Sequence, residues 1–103
     1  MKIKLIAIAT ALMTTAVQAQ NLPAGEKLAH TWCSGCHRVD LEQQKMGNDA
    51  VPSFSSVAQM NSTTEISLAA FLSTPHGRMP DYSLSRIEIR DVSAYILSLR
   101  KLQ

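Results

Sequence analysis

The 103-residue chain has few aromatic side chains, only two cysteines and no strong excess of charge of either sign. Aromatic residues make up 5% of the sequence, which is little for filling the core of so small a protein. Two cysteines permit one disulfide at most, and by themselves they do not supply the four ligands of a structural zinc site. The formal net charge of +2 is too small for the basic surface that nucleic acid binding requires. We therefore predict no nucleic-acid partner, and a core that depends on something other than aromatic packing.

The chain opens with a short basic segment followed by an apolar one. Two lysines precede the apolar stretch over residues 5–17, and small residues stand at positions 17 and 19. This order is typical of a secretory signal peptide, and the apolar part is shorter than the roughly 20 residues of a membrane span. We predict a signal peptide over residues 1–19 and one domain over residues 20–103, located in the periplasm. An uncleaved membrane anchor is the alternative.

The most informative motif is Cys33-Ser34-Gly35-Cys36-His37. Two thiols three positions apart with a histidine directly after the second form the attachment signature of a covalently bound haem. The thiols add to the two vinyl groups of the porphyrin, and the imidazole coordinates the iron from one side. The motif predicts one haem c with its iron, and this large apolar group would supply the filling that the sequence lacks.

Two other chemistries use the same residue types. A Cys-x-x-Cys pair also occurs as a disulfide or a thiol-exchange site, but the chain has no run of alternating or β-branched residues long enough for a thioredoxin-like sheet. A zinc site would need His30 and His37 as its third and fourth ligands, which is an unusual spacing. For these two reasons the motif favours haem attachment over both alternatives.

The first predicted helix covers residues 24–32, with Pro23 in its first turn. Gly25 and Ala29 lie four residues apart and share a face that carries almost no side chain, which would let another helix approach closely. His30 lies off the apolar stripe, so we expect it to be exposed and not to act as a ligand.

The rest of the chain predicts a polar loop over 38–50 and helices over 53–59, 63–73 and 86–101. Ser62 with Glu65, and Ser85 with Glu88, have the spacing of capping boxes. In the third helix the apolar residues are expected to be buried: Ile66, Leu68, Ala69, Ala70, Phe71 and Leu72. In the last helix the buried positions recur at helical intervals: Ile89, Val92, Ile96 and Leu99. The basic residues near the C-terminus, including Arg100, are interleaved with acids and predict a solvated face.

Prolines and a glycine make residues 74–84 irregular, and Met79 lies within this segment. A thioether is a soft ligand that suits reduced iron, and a loop held by Pro75 and Pro80 can deliver it to the metal. Met46 lies too soon after His37 in the chain to reach the opposite haem face, and Met60 ends a helix. His76, in the same segment, is the alternative ligand and would give a lower potential. The predicted metal ligands are therefore His37 and Met79.

The haem motif near the start of an exported domain, Met79-Pro80 in a late loop and a final helix bearing Tyr95 together resemble class I c-type cytochromes. The resemblance covers the whole of residues 20–103 and is closest to the short bacterial periplasmic members with a single haem. It implies an all-α fold in which three or four helices wrap around one covalently bound haem.

The resemblance also implies roles for individual residues. Cys33 and Cys36 would form the thioethers, His37 would be the proximal ligand and Met79 the distal one, and the carbonyl of Pro52 would accept a hydrogen bond from His37 Nδ1. The first helix would meet the last at Gly25 and Ala29, near Tyr95. Ala29 stands where a bulkier aromatic is common, and Trp32 is expected to fill that space.

Two protein ligands would leave no open position on the iron. The expected function is therefore that of a single-electron carrier and not an enzyme, a monomer that works with redox partner proteins whose identity the sequence does not give. A haem subunit of a particular periplasmic dehydrogenase or oxidase is one alternative. A haem peroxidase or ligand sensor is the other, and it would require that Met79 is not a stable ligand.

Overall fold

The computed structural model describes residues 11, 20–41, 51–74, 77 and 79–102. The predicted signal peptide and most of the predicted loop over 38–50 lie outside the described residues, as do Pro75, His76 and Arg78. Over the part that is described, the structure contains α-helices, short helical turns and no β-strand, which confirms the all-α class.

The described residues of the domain form four α-helices, in the order predicted from the sequence. They are α1 (Leu22–Leu28), α2 (Phe54–Gln59), α3 (Glu65–Ser73) and α4 (Arg86–Ser98). A π-helical turn, Ala29–Cys33, continues α1, and a 3-10 turn, Leu99–Leu102, continues α4. None of the helices within the described ranges is long and apolar enough to cross a membrane.

Helix α4 is the element on which the others pack. Helices α1, α2 and α3 all contact it, and its apolar residues at the predicted intervals are buried. The core cluster combines α4 and the turn after it with residues from the π-helical turn, the segment after the haem motif, α2 and α3: Ala29, Val39, Phe54, Ala58, Leu68, Val92, Tyr95, Ile96 and Leu99. A single amphipathic helix thus organises the small domain, as its sequence pattern predicts.

The crossing of α1 and α4 is unusually close. A Cβ atom built on Gly25 would lie 2.0 Å from the backbone oxygen of Asp91 and 3.1 Å from Cβ of Tyr95, so only glycine fits there. The backbone N–H of Asn21, the residue that caps α1, donates to Asp91 Oδ1 at 3.1 Å. The predicted small-residue face of the first helix and its proximity to Tyr95 are both confirmed.

One of the two predicted capping boxes is correct and the other is wrong. Ser85 and Glu88 bond each other's backbone N–H groups at the start of α4, at 3.1 and 2.9 Å. Helix α3 is capped by Thr64 and Ser67, and not by Ser62 and Glu65. The helix begins two residues later than predicted because the Ser67 hydroxyl performs the reciprocal bond that a glutamate usually makes.

Helix α3 also buries fewer side chains than predicted. Leu68 is 6% exposed and Leu72 packs partly against the core, whereas Ile66 is 82% exposed and Phe71 lies about half in solvent. A nine-residue helix that packs on one side of α4 has a single inner stripe, and Leu68 and Leu72 occupy it at a spacing of four. The expectation that Ile66, Ala70 and Phe71 are buried was wrong for this reason.

Arg100, on the predicted solvated face near the C-terminus, is exposed, and it also bonds the protein backbone. Its guanidinium group donates to the carbonyl oxygens of Ala58, Met60 and Thr63 at 2.6, 3.2 and 2.8 Å. These carbonyls lie at the end of α2 and in the turn that follows it. Arg100 therefore ties the C-terminal turn to the connection between α2 and α3.

Candidate haem site

The Cys33–His37 motif begins where the π-helical turn ends. The backbone N–H groups of Cys36 and His37 donate to the carbonyl of Cys33 at 3.1 and 2.9 Å, which folds the motif into a tight turn. Both cysteines carry free thiols, Cys33 half-buried and Cys36 exposed. Burial raises the pKa of the Cys33 thiol. Thiol-exchange sites instead lower the pKa of their reactive cysteine, so this environment does not favour that alternative.

A hydrogen bond between Nδ1 and a backbone carbonyl orients the imidazole of His37. Its Nδ1 lies 2.6 Å from the carbonyl oxygen of Pro52, the contact that the resemblance implies. Because a carbonyl only accepts, Nδ1 must carry the proton and Nε2 is left with a lone pair for a metal. The ring also packs against Phe54, with the centroids 5.3 Å apart. A fixed tautomer and a fixed ring plane are what an axial imidazole ligand requires.

Pro52 is held in place by the start of α2. The backbone N–H of Phe54 donates to the carbonyl of Arg38 at 2.9 Å, which joins this segment to the residue directly after His37. Ser53, between Pro52 and Phe54, caps α2 with its side chain. The start of the helix thus fixes both the carbonyl that orients His37 and the ring that packs on it.

Met79 lies in a separate segment, between α3 and α4. It is half-buried and lines a small cavity together with Leu72, Thr74, Pro80, Asp81, Tyr82 and Leu84. His76, the alternative ligand, lies outside the described residues, so the choice between the two stays a prediction. Met60 is 49% exposed at the end of α2, in line with its exclusion as a ligand.

An aromatic contact joins the two segments, and sequence reasoning missed it. The rings of Trp32 and Tyr82 lie 5.2 Å apart at an angle of 39°. Trp32 directly precedes Cys33, and Tyr82 follows Met79 by three residues. The expectation that Trp32 fills space beside Ala29 differs from the structure, where Ala29 is fully buried and Trp32 is 47% exposed. No pattern in the sequence pairs two aromatics fifty residues apart.

A second set of contacts holds the chain that follows His37. The Tyr95 hydroxyl lies 2.8 Å from the carbonyl of Val39 and 2.8 Å from Asp40 Oδ1, and Asp40 also pairs with His30 at 3.0 Å. Burial, followed by the bond to Asp40 and its charge, raises the pKa of Tyr95. His30 is exposed, as predicted. Tyr95 therefore anchors the residues after the haem motif to α4.

Comparison with known proteins decides what these residues belong to. The family model described as Cytochrome c matches residues 22–100, which include all four helices and the motif. The chain belongs to the cytochrome c family. It is 40% identical over 95 residues to cytochrome c-552 of Bradyrhizobium diazoefficiens, an alignment that covers 92% of this chain and 90% of that protein. No solved structure gives a significant match.

Membership of this family fixes the general chemistry. The protein binds haem c covalently with its iron, and it is an electron transfer protein that works with redox partners and not an enzyme. The local geometry fits such a group, because two free thiols lie beside an imidazole whose Nε2 is available. The residues that hold the haem in this chain remain a prediction.

Proposed function

We propose that this cytochrome is a periplasmic single-electron carrier in which Cys33 and Cys36 form the thioethers and His37 and Met79 are the axial ligands. The observation that carries the proposal is the 2.6 Å contact between His37 Nδ1 and the Pro52 carbonyl. It leaves Nε2 as the only ring nitrogen able to bind iron, and it makes that nitrogen a better donor.

The haem, when bound, accepts and donates one electron. The part of the protein is to keep the same ligands in both oxidation states, so that little reorganisation accompanies the transfer. Pro52 and Phe54 restrain the imidazole of His37 from two sides. Met79 contributes a neutral, soft sulfur atom that favours the reduced state. With both axial positions occupied by side chains, the protein offers no coordination site to a substrate.

Substitution of Met79 tests the ligand assignment. We expect Met79→Ala to allow carbon monoxide to bind the reduced protein, and Met79→His to lower the potential by an appreciable part of the roughly 0.8 V that axial ligation spans. Met60→Ala removes an exposed methionine and serves as the matched control. Optical spectroscopy and spectroelectrochemistry of the purified holoprotein measure both effects.

The same experiment separates Met79 from its alternatives. If His76→Ala opens the iron and Met79→Ala does not, His76 is the ligand. If the unaltered protein already binds carbon monoxide or turns over peroxide rapidly, the protein is not a simple carrier. Wild-type behaviour of both variants would contradict the assignment in this segment altogether.

Export is tested by the N-terminus of the mature protein. We expect the haem-containing protein in the periplasmic fraction, beginning at Gln20 after removal of residues 1–19. Mass spectrometry of the intact protein gives this directly. A membrane-bound protein that retains Met1 would show that the leader is an uncleaved anchor.

The free carrier is expected to purify as a monomer. Its partners would dock through a small and weak interface, because a carrier must dissociate as readily as it binds. Size-exclusion chromatography from cells grown without overexpression measures this. Constant co-elution with a dehydrogenase or oxidase would instead show that the protein is a fixed subunit.

A further inference from the structure

The contact between Trp32 and Tyr82 links the two segments that the proposed function assigns to opposite sides of the iron. Trp32 directly precedes Cys33 in the sequence, and Tyr82 follows Met79 by three residues. We propose that this pair, the aromatic clasp, is a positioning device that holds the Met79 segment against the haem motif and so keeps Met79 on the iron. The inference rests on the proposed function and adds two residues to it.

The geometry of the clasp supports a direct role for the ring contact. The rings lie 5.2 Å apart and are tilted by 39°, within the range in which aromatic pairs attract each other. The two side chains are 47% and 42% exposed, so neither is fixed by burial in the core. The ring contact is therefore a direct link between the two segments.

A turn and a helix cap restrain the backbone around Tyr82. Ser83 adopts a φ of 52°, in the left-handed region that serine rarely occupies, and its N–H donates to Asp81 Oδ1 at 2.8 Å. Two residues later, Ser85 begins the capping box of α4. Tyr82 thus lies between a tight turn and the central helix, three residues after Met79.

Met79 is also close to the clasp in space. Met79 and Tyr82 line the same small cavity, which Leu72 and Leu84 complete from the core side. If the clasp opens, the wall of this cavity moves with Tyr82. We therefore expect the loss of either ring to increase the fraction of molecules in which the Met79 sulfur has left the iron.

The size of the effect follows from the strength of aromatic pairs. Such pairs contribute about 0.5–1.5 kcal/mol beyond the area they bury, which corresponds to about a 2- to 12-fold change in an equilibrium constant. Exogenous imidazole competes with a methionine ligand for ferric iron, so its apparent affinity reports the open fraction. We expect Trp32→Leu and Tyr82→Leu to bind imidazole about 2- to 12-fold more tightly than the wild type.

The experiment uses holoprotein and a double-mutant cycle. The double variant should gain no more than the stronger single variant, because each substitution breaks the same contact. Trp32→Phe and Tyr82→Phe keep an aromatic ring and should stay within about twofold of wild type. Thr64→Ala removes the cap of α3 at the end far from Met79 in sequence, and it controls for a general loss of stability.

Each outcome has a defined meaning. Additive effects of the two leucine variants, or an equal rise in Thr64→Ala, would overturn the clasp, since the rings would then act separately or only through global stability. If Met79→Ala opens the iron but the leucine variants bind imidazole like wild type, the clasp is wrong and the proposed ligand stands. If Met79→Ala leaves the spectrum unchanged, both are wrong.

Discussion

The crossing of α1 and α4 and the segment over residues 74–84 hold their positions by different means. At the crossing, backbone meets backbone so closely that Gly25 has no room for a Cβ atom, and buried Tyr95 bonds the chain beyond the haem motif. The described residues of the Met79 segment are mostly exposed, and their contacts include the pairing of Tyr82 with Trp32, the turn at Asp81 and the cap of α4.

This difference suits the proposed division of labour between the two sides of the haem. The proposed imidazole ligand, His37, lies in a chain segment anchored to the core through contacts of Pro52, Val39 and Asp40, so we expect it to stay in place in both oxidation states. The proposed thioether ligand, Met79, lies in a segment whose described residues are mostly exposed, so we expect local interactions to decide how firmly this ligand is held. Substitutions at the crossing of α1 and α4 should change the stability of the fold. Substitutions in the Met79 segment should change how firmly the proposed ligand stays on the iron.

The largest expected effect is at the crossing itself. Gly25→Val would place a side chain where the carbonyl of Asp91 lies, and neither backbone can move without disrupting α4. Overpacking of a core usually costs about 1–3 kcal/mol, and a clash with backbone should reach or exceed the upper end of that range. Chemical denaturation of the holoprotein measures the free energy of unfolding.

Gly35 provides the matched control for this substitution. A Cβ atom built on Gly35 meets nothing within 4 Å, although this glycine lies inside the haem motif. Gly35→Ala should change stability by no more than about 0.5 kcal/mol. Equal tolerance of substitution at both glycines would show that α1 and α4 are not in such close contact.

The next largest effect concerns α3. Leu68→Ala should cost about 2–4 kcal/mol because it removes buried methyl groups from the core, whereas Ile66→Ala should change the free energy of unfolding by less than about 0.5 kcal/mol. Thermal or chemical unfolding of both variants gives the comparison. Similar losses at the two positions would mean that α3 is buried on both faces, as the sequence alone had suggested.

The sequence predicted the fold best where a periodic pattern met a clear signal for a helix end. The apolar spacing of α4 and its Ser85–Glu88 box gave both the buried stripe and the first residue of the helix. In α3 the apolar residues are nearly continuous, so periodicity could not show which stripe faces inward. The apolar composition of such a helix does not show which of its sides faces the core. Only its packing against α4 determines the buried side.

For the site, the local motif could be recognised in the sequence, whereas contacts between residues far apart in the chain could not be predicted. The haem motif and the family resemblance pointed to His37 and Pro52, which the structure places in contact. The contacts of Arg100 with three carbonyls, of Tyr95 with Asp40 and of Trp32 with Tyr82 join residues 37 to 55 positions apart. Nothing in a single sequence pairs a surface arginine or tryptophan with its partner at that distance.

Tyr95→Phe removes one hydroxyl that bonds both Val39 and Asp40. We expect a loss of about 1–2 kcal/mol at neutral pH, because a buried carbonyl loses a partner. Tyr82→Phe, in the exposed clasp, should cost less than about 0.5 kcal/mol. Equal effects of the two substitutions would contradict the distinction between the anchored and the exposed region.

The same hydroxyl predicts a dependence on alkaline pH. The raised pKa of Tyr95 means that the folded protein keeps its phenolic proton where the unfolded chain, with a pKa near 10, loses it. The folded state then binds more protons, so this contribution to stability is complete below about pH 10 and falls as the pH rises above it. The stability difference between wild type and Tyr95→Phe should therefore shrink between pH 9 and pH 11, as measured by denaturation at both values. A constant difference would show that the Tyr95 pKa is ordinary.

A further loss of stability, about as large as that of a single helix cap, is expected at the junction of the two regions. Ser85→Ala removes the cap of α4, which should cost about 1 kcal/mol, and it also frees the turn that positions Tyr82. Thr64→Ala removes the equivalent cap of α3 and should cost a similar amount. Because only Ser85 adjoins the Met79 segment, only Ser85→Ala should also increase the affinity of the ferric protein for imidazole. If both cap variants increase that affinity equally, ligand retention follows the overall stability of the fold, and the two regions are not independent.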